Sequence, residues 1–137
     1  MEIDRDRLRK PQRGASVLAR ETRRAELDKQ EREAKAETKR RDGYRCRWPE
    51  DHKCRCGLEA AHIVDASLGG PMEPSNLLSI CGWLHRRGPE SIHGKQLKVE
   101  PLTAEGANGP LSFWRKDAEG IFYLVAQERS IGIIERD

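Results

Sequence analysis

The sequence predicts an α+β fold with three parts: a charged N-terminal helix, a strand–loop–strand–helix unit in the middle, and a β-hairpin near the C-terminus. Residues 16–41 avoid glycine and proline and are rich in Ala, Glu, Lys and Arg, which favour helices. Every cysteine and histidine lies within residues 43–103, around two short apolar segments. Residues 111–127 alternate in polarity around a polar turn. We therefore divide the chain into a basic helical arm (1–42), a core (43–103) and a hairpin extension (104–137).

The composition indicates a thin hydrophobic core. Hydrophobic residues make up 36% of the 137 residues and charged residues another 36%, and small domains of this kind often need a metal ion or disulfides for stability. The chain has no apolar run of about 18 residues and no apolar secretory segment, so we expect a cytoplasmic protein without a membrane span. In that compartment clustered cysteines are metal ligands, with a disulfide framework as the alternative.

The positive charge is concentrated towards the N-terminus. Residues 1–45 carry 15 Lys/Arg against 10 Asp/Glu, whereas residues 98–137 carry five against seven. We expect a helix from Ser16, its N-cap, to about Arg41, and a loose segment over residues 1–14. The helix has few apolar positions, so it either meets a polyanion as a basic arm or is simply a solvated helix.

The remaining elements follow from turn residues and apolar patterning. Asp42-Gly43 is expected to end the helix, and Gly69-Gly70-Pro71 marks an irregular loop between the first two strands. The predicted elements are strands Leu58–Val64 and Asn76–Ile80, two helical turns over Cys81–Arg87, a strand Leu97–Leu102, and hairpin strands Leu111–Arg115 and Gly120–Gln127.

The middle part carries the residues with distinctive chemistry. His62, His85 and His93 lie within about thirty residues of one another, and four thiols accompany them. Zinc prefers thiolate and imidazole ligands in closed four-coordinate sites. The cysteines can fill such a site and leave these histidines as a base and as ligands to a second ion. We expect His52 to be a surface loop residue, and the three tryptophans to pack in the core or a subdomain.

These residues resemble the HNH nuclease family. The resemblance covers about residues 41–94 and is carried by Arg41-Asp-Gly-Tyr-Arg-Cys46, Leu58-Glu-Ala-Ala-His62-Ile-Val, Gly69-Gly70 and Asn76-Leu-Leu-Ser-Ile-Cys81-Gly-Trp-Leu-His85. Asn76 follows His62 by fourteen positions, and His85 follows Asn76 by nine. These intervals are associated with the family. The resemblance implies a small ββα-metal core, also called the His-Me finger.

The resemblance also implies catalytic roles. His62 would be the general base that takes a proton from water, Asn76 would hold the loop so that His62 points correctly, and His85 would bind a catalytic divalent ion. His93 is the candidate for a further ligand, although a turn must bring it back to His85. The expected ion is Mg²⁺ or Mn²⁺, with Ni²⁺ or Zn²⁺ as alternatives.

Two positions depart from the family pattern. Ala61 stands where many members have an Asp or His metal ligand, and Asp65 or Glu59 is the candidate replacement. Leu84 stands where zinc-bearing members have the last cysteine of a Cys-x-x-Cys pair. We therefore predict a structural Zn²⁺ held by three thiols of the first knuckle and one of the second, namely Cys46, Cys54, Cys56 and Cys81; the alternative is a set of small buried hydrophobes.

The function implied is that of a metal-dependent DNA endonuclease that nicks or cuts phosphodiester bonds. Arginines near the motif suit phosphate contacts without base readout: Arg40, Arg41, Arg45, Arg86 and Arg87, with Arg47 and Arg55 nearby. Short HNH proteins of this kind include bacteriophage members that assist genome packaging, which implies terminase or portal partners and a bacterial host cell. The alternatives are a catalytically weak, zinc-stabilised DNA-binding or assembly module, and a protein–protein adaptor built on the helix.

Overall fold

The computed structural model describes residues 5–130 and 133–135, with side chains described over residues 16–129. The chain divides into two compact units, Met1–Glu33 and Ala34–Asp137. The predicted α+β class is confirmed, since one helix accompanies two small antiparallel sheets. Within the described residues, no helix is both long enough and apolar enough to cross a membrane.

One long helix, α1, occurs in the described part of the chain and spans Arg5–Arg41. The expected helix start at Ser16 is therefore wrong, as is the expected loose segment where it covers residues 5–14; residues 1–4 lie outside the described residues. Pro11 removes one backbone hydrogen bond, but it does not end a helix that good helix formers continue on both sides. The predicted end is confirmed, because Gly43 adopts a left-handed conformation (φ 65°) directly after the helix.

Two short strands form the first sheet. β1 (Leu58–His62) pairs antiparallel with β2 (Leu77–Cys81), and His62 lies opposite Leu77 in the register. The loop expected between them is present and contains two short 3₁₀ turns. After β2, one π-helical turn at Trp83–Arg87 takes the place of the two helical turns expected there.

The second sheet has four strands in sequential order. They are β3 (Leu97–Pro101), β4 (Leu111–Lys116), β5 (Phe122–Ser130) and β6 (Ile133–Glu135). β4 and β5 form the predicted hairpin, and β3 pairs with β4 across the expected boundary at residue 103. The core segment and the hairpin extension therefore share one sheet.

One hydrophobic core serves both sheets. It joins residues of β1 and β2, such as Ala61 and Ile80, to residues of β3 and β4, such as Val99 and Phe113. Trp48 lies in this core and meets Phe113 edge to face at 5.5 Å between ring centroids, as expected of a packing tryptophan. The core is small, with several positions filled by alanine.

A buried network of charged groups supplements this core. Arg47 is only 7% exposed and forms a fork with Glu128, which is 3% exposed, through hydrogen bonds of 3.1 and 2.6 Å. Its guanidinium also donates to the carbonyls of Ala107 and Gly109, and Glu128 accepts a further bond from the Leu111 amide. The suggestion that Arg47 contacts phosphate is therefore wrong, because its donors are used inside the protein.

Replacing Arg47 by methionine should destabilise the protein strongly, because Glu128 would remain buried without its partner. We expect the free energy of unfolding to fall by about 3–5 kcal/mol, measured by urea unfolding followed by circular dichroism. Arg45, an exposed neighbour two residues earlier, provides the matched control, and Arg45→Met should change stability by less than about 0.5 kcal/mol. Equal losses in the two variants would contradict the network's structural role.

Candidate metal centre and histidine site

Four side chains bring metal-ligating atoms together beside β2. They belong to Cys46, His52, Cys54 and Cys81, and their ligand atoms all lie within 4.8 Å of one another. His52 Nε2 is 3.5 Å from Cys46 Sγ and 3.3 Å from Cys54 Sγ. Ligands around a tetrahedral zinc ion are about 3.5–3.8 Å apart, given the usual zinc–sulfur and zinc–nitrogen bond lengths. The cluster therefore has the donors and nearly the spacing of a Cys₃His zinc site.

The surroundings of His52 also suit a metal ligand. Its Nδ1 lies 2.6 Å from the carbonyl oxygen of Glu50. In the tautomer that donates this hydrogen bond, Nε2 keeps its lone pair and faces the sulfur atoms. Metal-bound histidines usually donate their other ring N–H to a carbonyl or carboxylate in this way.

Desolvation disfavours ionisation of two of the thiols, Cys46 and Cys54, in the absence of a cation. Desolvation raises the pKa of the Cys46 thiol to about 12, although the Cys81 amide donates to its sulfur at 3.3 Å. Desolvation also raises the pKa of Cys54. A coordinated cation reverses this effect, because thiols bound to zinc are deprotonated. These residues could therefore bind a metal ion such as zinc.

The structure corrects the predicted ligand set at one position. It brings together three of the four predicted thiols but places His52, expected to be a surface loop residue, in the fourth position rather than Cys56. Cys56 is exposed and has a left-handed backbone (φ 67°). The backbone on both sides of it is bonded to the start of the Trp83–Arg87 turn, since Gly57 O accepts from Gly82 and Arg55 O from Trp83. This local pairing leaves Cys56 outside the cluster.

The second candidate site begins at His62, the last residue of β1. The loop after it is braced by Asn76, whose side-chain amide accepts from the Val64 N–H at 2.9 Å and donates to the Val64 carbonyl at 2.9 Å. The same amide donates to the Pro71 carbonyl at 3.1 Å, and the Asn76 carbonyl accepts from Ile63. Asn76 thus makes the backbone contacts expected of it and fixes the chain directly after His62.

Gly70 allows the loop to close this tightly. A Cβ atom at this position would lie 1.8 Å from the Val64 carbonyl oxygen and 2.9 Å from Asn76 Nδ2. No side chain fits at such a separation, so the loop requires a glycine where the chain crosses itself. The Gly-Gly pair in the sequence therefore marks a close backbone approach.

A turn brings His85 and His93 together, as a shared role for the two would require. The Trp83–Arg87 turn carries His85, and the amides of Ile92 and His93 donate to the carbonyls of Leu84 and His85 at 2.9 and 3.0 Å. These two bonds carry the chain back past Gly88, and the two imidazole centroids lie 4.6 Å apart in an edge-to-face arrangement.

Glu59, on β1, contacts one member of this pair, His85. Its carboxylate lies 2.9 Å from His85 Nδ1 and accepts two hydrogen bonds from Arg86, at 3.1 and 2.8 Å. The Arg86 hydrogen bonds, helped by His85, lower the pKa of Glu59 to about 2. Burial lowers the pKa of His85 despite the opposing effect of the Glu59 hydrogen bond. A neutral His85 that donates from Nδ1 to this carboxylate presents Nε2 as a ligand atom.

Asp65 lies in the loop that follows His62. Hydrogen bonds from Ser67 lower the pKa of this exposed carboxyl most, and the charges of His93 and His62 lower it further. Ala61, in contrast, is fully buried in the hydrophobic core. In the described residues, no third His, Cys, Asp or Glu joins His85 and His93 in a compact ligand group.

The arginines expected at phosphates differ in their surroundings. Arg41 donates all five of its N–H hydrogen bonds within the protein. The acceptors are Asp42, Asn108 and the carbonyls of Pro74 and Leu77. It therefore has no donor left for DNA, which corrects its expected role. Arg86 is paired with Glu59 but half exposed. Three more are exposed: Arg40, Arg45 and Arg87.

His52→Ala and Cys56→Ser provide a direct test of the metal centre. Purified protein should contain about one zinc ion per chain, and His52→Ala should lower that content and the melting temperature, because it removes a ligand. Cys56→Ser should leave both unchanged. Elemental analysis and thermal unfolding measure the two effects; zinc loss in Cys56→Ser but not in His52→Ala would instead support the Cys₄ set.

Comparison with known proteins finds no matching family model, no similar curated protein and no similar solved structure. The function must therefore be inferred from this chain's own residues. Two arrangements are available for that purpose: the Cys46, His52, Cys54 and Cys81 cluster, and the His85–His93 pair beside Glu59 with His62 at the end of β1.

Proposed function

We propose that this protein is a metal-dependent DNA endonuclease with a ββα-metal core of the HNH type. The observation that carries the proposal is the approach of His85 and His93, 4.6 Å apart, while His62 and Ile92, the residue before His93, line one pocket. Their elements support it too: two antiparallel strands followed by a helical turn, with the base candidate at the end of β1 and the ligand candidate in the turn.

Each residue has a role in the proposed reaction. His62 accepts a proton from the water that attacks phosphorus, a new P–O bond forms, and the P–O bond to one nucleotide breaks as its oxygen leaves. Asn76 acts as a positioning residue, because it fixes the backbone after His62. His85 and His93 would hold a divalent ion, which would supply positive charge to stabilise the scissile phosphate and the departing oxygen.

The ligand set favours particular ions. His85 and His93 offer nitrogen ligands. Ala61, which stands where many members of the HNH family have an Asp or His ligand, offers no ligand atom. Imidazole suits ions such as Ni²⁺ and Zn²⁺, whereas Mg²⁺ prefers oxygen ligands. We therefore expect Mn²⁺, Ni²⁺ or Zn²⁺ to support cutting better than Mg²⁺.

DNA is the proposed substrate because exposed cationic side chains lie close to the motif in the sequence. Arg45 and Arg87 are exposed next to the core motif, and Arg40 is exposed at the end of α1. Such groups provide salt-dependent affinity for the phosphate backbone without reading bases. The phage setting and the terminase partner remain predictions from the resemblance.

A second candidate function is a zinc-stabilised DNA-binding or assembly module with little activity. The burial of Ala61 in the core favours it, because that position supplies no ligand. This module would retain DNA under every metal condition but would not cut it.

Substitution of His62 tests the enzyme against the module. Supercoiled plasmid should be nicked in the presence of Mn²⁺ or Ni²⁺, and His62→Ala should lower the rate at least about 100-fold, the usual effect of losing a general base. Melting temperature and gel-shift affinity should remain close to those of the wild type. A wild-type protein that retains plasmid but never nicks it would favour the module, and unfolding of His62→Ala would make His62 structural.

Glu59→Gln tests the support of the metal ligand. The amide preserves the shape but removes the charge that orients His85, so the metal concentration for half-maximal nicking should rise about 10–100-fold. The rate at saturating metal should change much less. Arg86→Gln is the matched control, because it removes the exposed partner of Glu59 without touching His85. An unchanged metal dependence in Glu59→Gln would exclude this role.

A further inference from the structure

A pocket of about 300 Å³ opens directly beside His62. Its walls come from the end of β1, from β3 and from the β4–β5 hairpin, and β3 is the edge strand of its sheet. Four aliphatic side chains and the ring of Phe122 line the interior. The volume is at the small end of the range for ligand sites, roughly 300–1,000 Å³. The pocket can therefore hold a group of about one nucleotide.

Three lysines give this apolar pocket a positive lining. Lys95, Lys98 and Lys116 all line it. Lys98 Nζ lies 4.7 Å and Lys116 Nζ 5.2 Å from the centre of the Phe122 ring. Glu100 pairs with Lys98 at 3.1 Å, which neutralises one of the three charges. The lining of the pocket therefore keeps a net positive charge, and cation–π contacts with the Phe122 ring help to position Lys98 and Lys116.

This combination selects the chemistry of the ligand. A free inorganic anion would use the lysines but leave the apolar interior facing water, and an apolar molecule would not use the lysines. A nucleotide has both parts, since its phosphates are anionic while its base presents flat apolar faces. Single-stranded nucleic acids are generally bound by cationic grooves that contain aromatic side chains.

We propose that this pocket receives one unpaired nucleotide of the DNA strand that is cut beside His62. The inference rests on the proposed function, because it takes the ligand of the neighbouring site to be DNA. A paired base is enclosed in the duplex stack and cannot enter a side pocket, so the nucleotide must be extrahelical. Unstacking is least unfavourable where a base is bulged, mismatched or single-stranded. The protein therefore selects DNA by structure rather than by sequence.

Binding to two matched duplexes tests the proposal. One labelled duplex contains a single extrahelical adenine and the other is fully paired, with nearly equal length and charge. Fluorescence anisotropy, without added divalent metal or chelator, should show about tenfold tighter binding to the bulged duplex. Phe122→Leu should reduce this ratio to about one. Tyr123→Leu is the matched control, because Tyr123 is an exposed neighbour outside the pocket lining, and should preserve the ratio.

A pair of charge variants tests the proposal independently, in case Phe122→Leu does not fold. Lys98→Gln should lower the preference for the bulged duplex. Lys29→Gln, which changes an exposed lysine on α1, should affect both duplexes equally and leave the ratio unchanged. The proposal is overturned if the wild type binds both duplexes equally, or if the preference survives in folded Phe122→Leu and in Lys98→Gln.

Plasmid nicking on the same preparations separates this proposal from the proposed function. A protein that nicks through His62 but binds both duplexes equally would overturn the pocket and leave the nuclease standing. A protein that prefers the bulged duplex but cuts no DNA with any divalent ion would support the pocket and overturn the nuclease.

Discussion

The buried ion pair between Arg47 and Glu128 joins segments that are far apart in the chain. Arg47 lies just after α1 and next to the metal-ligand cluster, while Glu128 lies on β5. Bonds from this pair reach the turn before β4 and the start of β4 itself. A second contact extends the connection, since the Arg47 amide donates to the Ser79 carbonyl of β2. Through these bonds, and through a contact of its guanidinium with Asp42 after the helix, Arg47 connects both sheets and the end of α1. Removing one partner of such a buried ion pair is costly, because the other charge would stay buried without it.

Such a network suits a protein with a thin hydrophobic core. Alanines fill several core positions, and small side chains contribute little hydrophobic free energy. The Cys46, His52, Cys54 and Cys81 cluster could add stability at the same place, because a bound metal ion would join the segment after α1 to β2. Arg47 of the charged network directly follows Cys46 of the metal centre, and together the two would fix the segment that leads into β1.

The histidine site combines a buried alanine with a supporting carboxylate on one strand. Ala61 belongs to the hydrophobic core, and Glu59 lies two residues earlier in β1, on the same face of the strand. Glu59 contacts His85 rather than standing in a compact ligand group with both histidines. In the proposed site it would therefore support a ligand instead of being one, and the two imidazoles would define the chemistry of the ion.

The sequence by itself determined the α+β class, the end of α1, the β4–β5 hairpin and the positions of β1 and β2 to within two residues, because these depend on local patterning and turn residues. It also indicated the pairing of His85 with His93 and the bracing role of Asn76 through a family resemblance. Only the tertiary structure decided between His52 and Cys56, since both lie two residues from Cys54 and zinc accepts either donor. The internal roles of Arg41 and Arg47, and the pocket beside His62, were likewise decided only there. The burial and the hydrogen-bond partners of these side chains depend on residues distant in the chain. The sequence alone therefore does not distinguish an arginine that binds phosphate from one that pairs with a buried carboxylate.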